Sequence, residues 1–394
     1  MNILVLAPHS YYVDRGSPID VDILVQALSR RGDRVDLVVY ADGEDRAYPH
    51  VTIHRPDTPG WLRHIGPGFS LRKMVADLYL FHLARTLVHA NRYDVVHAVE
   101  EAAFIGLWFK RSRGLPYVYD MDSSIAQQLV EKLSWLRPVA GFLNWCEAKA
   151  IRGALAAAPV CNALADLARR RGASHIVTLH DISQLAAPGQ PGTGDLRKRL
   201  QLDGAPILMY VGNLEAYQGV DLLLDAFAFA IGEGATSSLV IAGGTDPQIT
   251  AYRRKAAELG LANRVHFIGG WPAPKLDELL AEADILVAPR IRGINTPMKV
   301  FPYLHSGKPV LVTDLPTHNQ ILTPDVALLA PPDPVGFGSA ILRLSEDQGL
   351  RRSLGKAGRE FVERNHTFRA HERRVNALYD HLAAHLQAAV VTRA

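Results

Sequence analysis

Short apolar runs of strand length alternate along this chain with stretches of helical period, and that alternation leaves few folds open to it. Residues 2–7 (NILVLA) form the first run. A turn-forming stretch at 8–18 follows, then Val21, Leu24, Val25 and Leu28 at helical spacing up to Gly32, and a second run at 34–40. The pattern continues with a run at 94–97, a helical stretch at 102–111 and a run at 117–119. Next come a long helical region at 124–158 and short runs at 159–161 and 176–179. The stretch AAPGQPGTG at 186–194 has no period and reads as a linker. Beyond it strands are expected at 207–211, 238–242, 265–268, 285–288 and 309–313, with helices at 220–231, 250–259, 273–283 and 298–306 between and after them. Apolar runs buried on both faces and alternating with helices specify parallel sheets covered on both sides. The expected architecture is therefore α/β: two tandem Rossmann-like doubly wound domains facing a cleft. Their bounds are 1–187 and 188–371, and the helix-period segment at 372–394 packs back on the first. In such sheets ligands sit at the carboxyl ends of the strands, so the cleft is the expected site.

Composition narrows the function. At 394 residues, 48% hydrophobic and 21% charged, the chain is an ordinary globular protein of about two domains. Forty-three Lys and Arg against forty Asp and Glu leave +3, too little bulk charge to point to nucleic acid. Two cysteines, Cys146 and Cys161, make no disulfide framework, which suits a reducing, cytoplasmic compartment. The amino terminus MNILVLAPHS has no basic region and reads as a buried strand, not a signal peptide, and no apolar window is long enough to span a membrane. The sixteen histidines lack metal-ligand spacing, and no G-x-S-x-G elbow occurs.

Several stretches carry chemistry. Gly16, in the turn 14–18, lets backbone N–H groups approach a ligand at a helix start. Gly212 closes one strand and Gly219 opens the next helix, with Asn213 and Gln218 between them. The strongest local signal is APRIRGINTPMKVFPYLHSGKP at 288–309. Thr296 followed by Pro297 reads as an N-cap with proline at the first helical position, Met298 next, and Arg290, Arg292 and Lys299 around that end. Only ten of the chain's basic residues are lysines, and one in a first helical turn opposes the dipole unless an anion compensates; a phosphate fits. Asp120-Met121-Asp122 has D-x-D spacing, but it lies in the other domain from the phosphate-like segment. These carboxylates, with Glu100 and Glu101, are read as lining the acceptor side, without a metal, or as helix-capping acids. The stretch 61–87 mixes Arg63, Arg72, Lys73 and Arg85 with Trp61, Leu62, Phe69, Leu71, Leu80 and Phe81, which reads as a packed helix or as a peripheral membrane contact.

The tandem domains, YVGNLEAYQGVDLLLDAF, VIAGG, RVHFIGGW and ADILVAPRIRGINTPMKVFPYLHSGKPVLVTD resemble the retaining glycosyltransferases of family 4, of GT-B fold, over almost the full length. The resemblance implies a nucleotide-sugar donor in the second domain and a glycan, lipid-linked or small-molecule acceptor in the first, with no further cofactor. It places Gly269 and Gly270 beside the base, Lys299 and residues 295–298 on the diphosphate, and Gly16 at the floor of the cleft. The family's E-x7-E glutamates are here Ile294 and Pro302, and the usual phosphate-binding Arg and Lys are Asn213 and Gln218. Asp122 stands where many members carry a histidine. The segment P-R-x-x-G-x-N-T-P-M-K thus marks a subgroup in which Arg290, Asn295, Thr296 and Lys299 take over donor binding. The expected function is transfer of a sugar to an acceptor hydroxyl with retention, with Asp122, Lys299 and Arg290 catalytic and Gly16, Glu101 and Asp120 on the acceptor side. The expected location is cytoplasmic or peripheral at the inner membrane face. A relative that binds sugar nucleotides or glycans without catalysis, or an epimerase of the same architecture, is the alternative.

Overall fold

The computed structural model describes the chain apart from residues 14–15, 67–69, 187, 203 and 392–394. Asp14 and Arg15 of the first turn, Phe69 of the basic stretch and the boundary at Ala187 therefore lie outside the described residues. Two compact units emerge, Met1–Asp181 with Arg369–Ala394, and Ile182–Phe368.

The first unit runs β1 (Asn2–Leu6), α1 (Gly16–Arg31), β2 (Arg34–Val38), β3 (Val51–His54), α2 (Leu71–Ala90), β4 (Val95–Val99), α3 (Ala102–Arg113), β5 (Tyr117–Met121), α4 (Ile125–Lys132), α5 (Ala140–Gly153), β6 (Ala156–Pro159) and α6 (Asn162–Arg170). Its six strands are parallel in the order β3-β2-β1-β4-β5-β6. The central strands are apolar and buried along nearly their whole length, as a sheet covered on both faces requires. Helices α2, α3 and α5 cover one face, where Leu80, Phe109 and Ile151 pack on Leu4, Val96 and Tyr119.

The second unit runs α7 (Asp195–Arg199), β7 (Ile207–Val211), α8 (Val220–Gly232), β8 (Ser238–Ala242), α9 (Asp246–Glu258), β9 (Val265–Gly269), α10 (Leu276–Ala281), β10 (Ile285–Ala288), α11 (Val300–His305), β11 (Val310–Thr313), α12 (Pro316–Asn319), β12 (Leu328–Ala330), α13 (Pro334–Glu346) and α14 (Gln348–Asn365). Its strand order is β12-β11-β10-β7-β8-β9, again parallel. The Pro- and Gly-rich stretch at 186–194 belongs to this unit, where the Gly194 N–H donates to Glu282 Oε1 at 2.8 Å. The last helix, α15 (Phe368–Val391), returns to the first unit from Arg369 onward.

Two expectations fail. The region 124–158 is not one helix: α4, a 3-10 turn at Ser134–Val139 and α5 fill it, and Ala156–Pro159 is a strand. Alanine favours helix, but here the run is buried between β5 and the extended residues 176–179, whose Val177 N–H donates to Ala157 O at 3.1 Å; tertiary pairing overrides propensity. The helix expected from Thr296 starts only at Val300. Pro302 has no N–H for the Met298 carbonyl, so the first i to i−4 bond is Tyr303 N–H to Lys299 O at 3.1 Å, and the turn before it closes by Val300 N–H to Pro297 O at 3.0 Å. Thr296 is therefore not a cap, and its buried hydroxyl has no hydrogen-bond partner among the described residues.

One polar chain ties α15 to the first sheet. His97, fully buried in β4, lies 3.0 Å through Nε2 from Asp120 Oδ2 and 2.9 Å through Nδ1 from the Tyr379 hydroxyl. A carboxylate only accepts, so Nε2–H donates to Asp120, and in the neutral ring Nδ1 then accepts from Tyr379. Tyr379→Phe leaves Nδ1 bare in the core and is expected to cost about 1–3 kcal/mol, read as a lower urea midpoint at unchanged slope. An unchanged midpoint would remove this bond from the anchoring of α15.

Candidate functional site

In the second unit the chain builds β7, β8 and β9 outward on one side and then crosses to β10 on the other, so the order reverses between β7 and β10. The loops leaving these two neighbours diverge and open a crevice at their carboxyl ends. Gly212 to Gly219 follow β7, and residues 289–299 follow β10.

The two loops are locked together. Ile291 N–H donates to Tyr217 O at 3.0 Å, and the Arg290 guanidinium lies 5.3 Å from the Tyr217 ring centroid. At Gly219, where φ is +76°, a side chain would overlap the Pro289 carbonyl. Gly212, with φ +150°, leaves its Cβ position to the end of Lys299. That ammonium donates to the Tyr210 hydroxyl at 2.8 Å, stands 4.0 Å from the same ring's centroid, and Tyr210 passes its own proton on to Asn213 O at 2.6 Å.

No carboxylate forms an ion pair with Lys299 among the described residues; a phenol and a glycine receive it instead. Loss of hydration, and then the positive charge of Arg290, push its pKa down to about 7. Arg290 is held in place by Nε donating to Arg292 O at 2.7 Å and Nη2 donating to Asn295 Oδ1 at 3.0 Å. Asn295 is fixed in turn by Thr317, whose hydroxyl donates to its carbonyl at 2.7 Å. Two cations thus converge at a strand terminus, an arrangement that favours a dianion such as a phosphate.

The remaining donor-side candidates fall around this centre. Gln218 is buried in the turn before α8, and Pro297 and Met298 form the tight turn ahead of α11. Gly269 ends β9, its carbonyl accepting from Gly243 N–H at 2.6 Å, and Gly270 follows it. The Ile294 carbonyl accepts from Gln320 Nε2 at 2.7 Å, and Pro302 sits inside α11. His318 carries no sequence signal, yet it is fully buried with Nδ1 3.0 Å from Thr313 O. Burial, with the charges of Arg290 and Lys299 adding to it, lowers its pKa to about 4, so the ring is neutral.

The first unit gathers carboxylates instead. Its order reverses between β1 and β4, so the start of α1 and the residues after β4 share one end of the sheet. Gly16 opens α1, and the next residue, Ser17, hydrogen-bonds Asp122 just beyond β5. Asp120 is committed to His97, and Glu101 pairs with Lys73 of α2 at 2.5 Å. Burial first, then Asp120 and Glu100, raise the Asp122 pKa. Glu100, held at φ +47°, is pushed up to about 7 by burial and by Glu101. Asp20 and Asp181, unmarked in the sequence, complete the group: they hydrogen-bond each other, Asp20 holding the proton, with Asp181 raised to about 7 by burial. Such carboxyls, part protonated and part charged, are suited to gripping hydroxyls or taking a proton from one. Asp122 belongs to this unit and Lys299 and Arg290 to the other, so the three form no single cluster within either.

Residues 16–181 match the family model of the glycosyl transferase 4-like domain, and residues 193–361 match that of glycosyl transferases group 1. The chain is 24% identical over 263 residues to an alpha-D-kanosaminyltransferase of Streptomyces kanamyceticus, covering 65% of this chain and 68% of that one. Among solved structures, sucrose-phosphate synthase from Thermosynechococcus elongatus superposes with a TM-score of 0.77 at 21% identity, over 97% of this chain and 99% of that one. HepE of Anabaena in complex with UDP superposes with a TM-score of 0.72 at 17% identity, over 96% and 100%. The two parallel six-stranded sheets are those of the GT-B fold.

The desolvated ammonium has a cost in the ligand-free protein. Its folded pKa of about 7 lies below the ordinary 10.5, so below pH 7 the penalty is fully present. Between about 7 and 10.5 the unfolded chain binds the extra proton, and stability from this group rises with pH. Lys299→Met is expected to be more stable than the parent at pH 6 by about 1–3 kcal/mol in urea unfolding, the gain shrinking towards pH 10. Equal stability at pH 6 would mean the ammonium is well hydrated.

Proposed function

For a chain that belongs to the two-domain glycosyltransferases, its halves matching the 4-like and group 1 models in turn, we propose metal-independent transfer of a sugar from a nucleoside diphosphate to an acceptor hydroxyl with retention of configuration. The observation that carries this reading is the desolvated Lys299 ammonium beside Arg290, with no carboxylate partner among the described residues. A diphosphate supplies the missing charge. Lys299 and Arg290 then stabilise the negative charge that develops on the leaving phosphate, electrostatics fixed in place before the reaction begins. The backbone of Gly212 and Asn213, and of residues 295–298, lines the phosphates, and the turn at Gly269 and Gly270 borders the base. Same-face attack, with the leaving phosphate taking the acceptor proton, accounts for retention. The carboxylates around Asp122 grip the acceptor, with Glu101 and Asp120 holding the residues beside it and Gly16 giving it room.

Neither Ile294 nor Pro302 offers a side-chain acceptor to a ribose, so donor affinity rests on the Arg290, Asn295 and Lys299 set. A transferase is favoured over a non-catalytic relative or an epimerase because both halves match transferase models and the kanosaminyltransferase is a sugar transferase by name. The UDP seen with HepE supports a nucleotide of that class as donor.

Screening UDP- and GDP-sugars by thermal shift is expected to find one nucleoside diphosphate that stabilises the protein. Lys299→Ala is expected to lose that shift and to lower kcat/KM about 100-fold or more. An anion favours the charged lysine, so nucleotide affinity is expected to fall above pH 7 in the parent and stay flat in the variant. Near-normal turnover by Lys299→Ala overturns the assignment of this residue, and NMR of the product anomer decides between retention and inversion.

A further inference from the structure

Ten of the thirteen exposed large apolar side chains among the described residues lie on one helical layer of the first unit. The layer comprises the 3-10 turn Gly60–Leu62, α2, α3, α4, the 3-10 turn Ser134–Val139 and α5, of which α2, α3 and α5 cover a single face of the sheet. On α2 the exposed large apolar residues are Leu71, Met74 and Leu78, spaced along one outward stripe. Phe81 continues that stripe onto α3, its ring edge-on to Trp108 with centroids 5.0 Å apart. On the other side of α3, Trp135 is 73% exposed and Phe142 62%, and the Phe142 ring stacks on Trp145 at 5.7 Å. Four of the chain's five tryptophans, Trp61, Trp108, Trp135 and Trp145, are exposed here. This surface is larger than the stretch 61–87 suggests and only partly coincident with it: Leu62 and Leu80 face the core, and Lys73 turns inward to Glu101.

The exposed charge on the same layer is mostly positive. Arg72 and Arg85 are exposed on α2, Lys110, Arg111 and Arg113 on α3, and Arg152 on α5. The acids of these helices are mostly withdrawn: Asp77 bonds the Tyr40 hydroxyl, and Glu147 accepts from Ser124, the Ile125 N–H and Arg171, leaving Glu131 as the exposed acid. A groove between α3 and α5 is lined by Leu107, Lys110, Arg111, Lys149, Arg152 and Gly153, with no carboxylate in it. The Lys149 ammonium stands 3.7 Å from the Trp145 ring centroid, so aromatic and cationic groups interleave.

We propose that this layer docks the protein on an anionic lipid bilayer, its tryptophans and leucines entering the headgroup boundary and the α3–α5 groove taking lipid phosphates. Indole rings are amphipathic and partition to that boundary, while cations beside them meet a negative surface within a Debye length. A protein partner matched to apolar residues alone would not call for basic residues beside them with the acids of α2 and α5 withdrawn. The inference stands on the surface itself and does not depend on the sugar-transfer reading.

The test uses the full chain and sonicated vesicles, either phosphatidylcholine alone or phosphatidylcholine with equal phosphatidylglycerol. Co-sedimentation is expected at least tenfold stronger with the anionic vesicles, weakened by salt, and accompanied by a blue shift of tryptophan emission. The triple variant Trp135→Ala, Phe142→Ala, Trp145→Ala is expected to lose the blue shift and most binding. The variant Lys110→Gln, Arg111→Gln, Lys149→Gln, Arg152→Gln is expected to lose at least tenfold on anionic vesicles. Both substitute surface positions, and unchanged thermal unfolding confirms that each folds. Absence of vesicle binding, equal binding to neutral vesicles, binding retained by both variants, or a dimer in sedimentation velocity that buries these tryptophans would overturn the proposal.

Discussion

A parallel sheet forces every connection to cross back over one of its faces, so the loops that leave its strands all gather at one end. Everything chemical in this protein follows from that constraint acting twice. In each unit the strand order reverses beside the first strand, at β1 and β4 and again at β7 and β10, and the loops on the two sides of the reversal part. Side chains distant in sequence are thereby delivered to one point: Gly212 and Lys299 in one unit, Ser17 and Asp122 in the other.

The two points are electrostatic opposites. In the second unit an ammonium and a guanidinium meet over phenol rings and glycine backbone, and burial lowers the lysine pKa. In the first unit Asp20, Glu100, Asp122 and Asp181 crowd together, and burial raises the pKa of each. Neither arrangement stabilises an empty protein, since uncompensated buried charge costs free energy. Each suits a ligand that completes it, an anion at the cationic point and hydroxyl groups at the acidic one.

How far these features were legible depends on the range of the forces that make them. The strands at 207–211, 238–242 and 285–288 were readable because a doubly buried strand must be apolar throughout. β3 and β12 were not, one being only partly buried and the other three residues long. Lys299 was legible as a misplaced cation near Pro297, although the helix that motivated the reading begins only at Val300, because the missing amide of Pro302 delays it. What recommends the residue is the Gly212 gap and the Tyr210 hydroxyl, ninety residues away. Asp20, Asp181 and His318 gave no local sign, since a carboxyl or an imidazole announces its role only through neighbours brought by the fold.

The surface of the first unit shows the same division. A basic, aromatic character was visible around residues 61–87, but which side chains point outward depends on which helix face the sheet claims, and that face is chosen by packing. By itself the sequence determined the alternation of elements, hence two doubly wound domains, and the loops that end at the reactive edges, because local periodicity and turn chemistry act over a few residues. Only the tertiary structure decided which lysine meets a phenol and a glycine in place of a carboxylate, which acids share a proton and which aromatics remain in water, because desolvation and Coulomb forces act between residues the chain separates by tens or hundreds of positions.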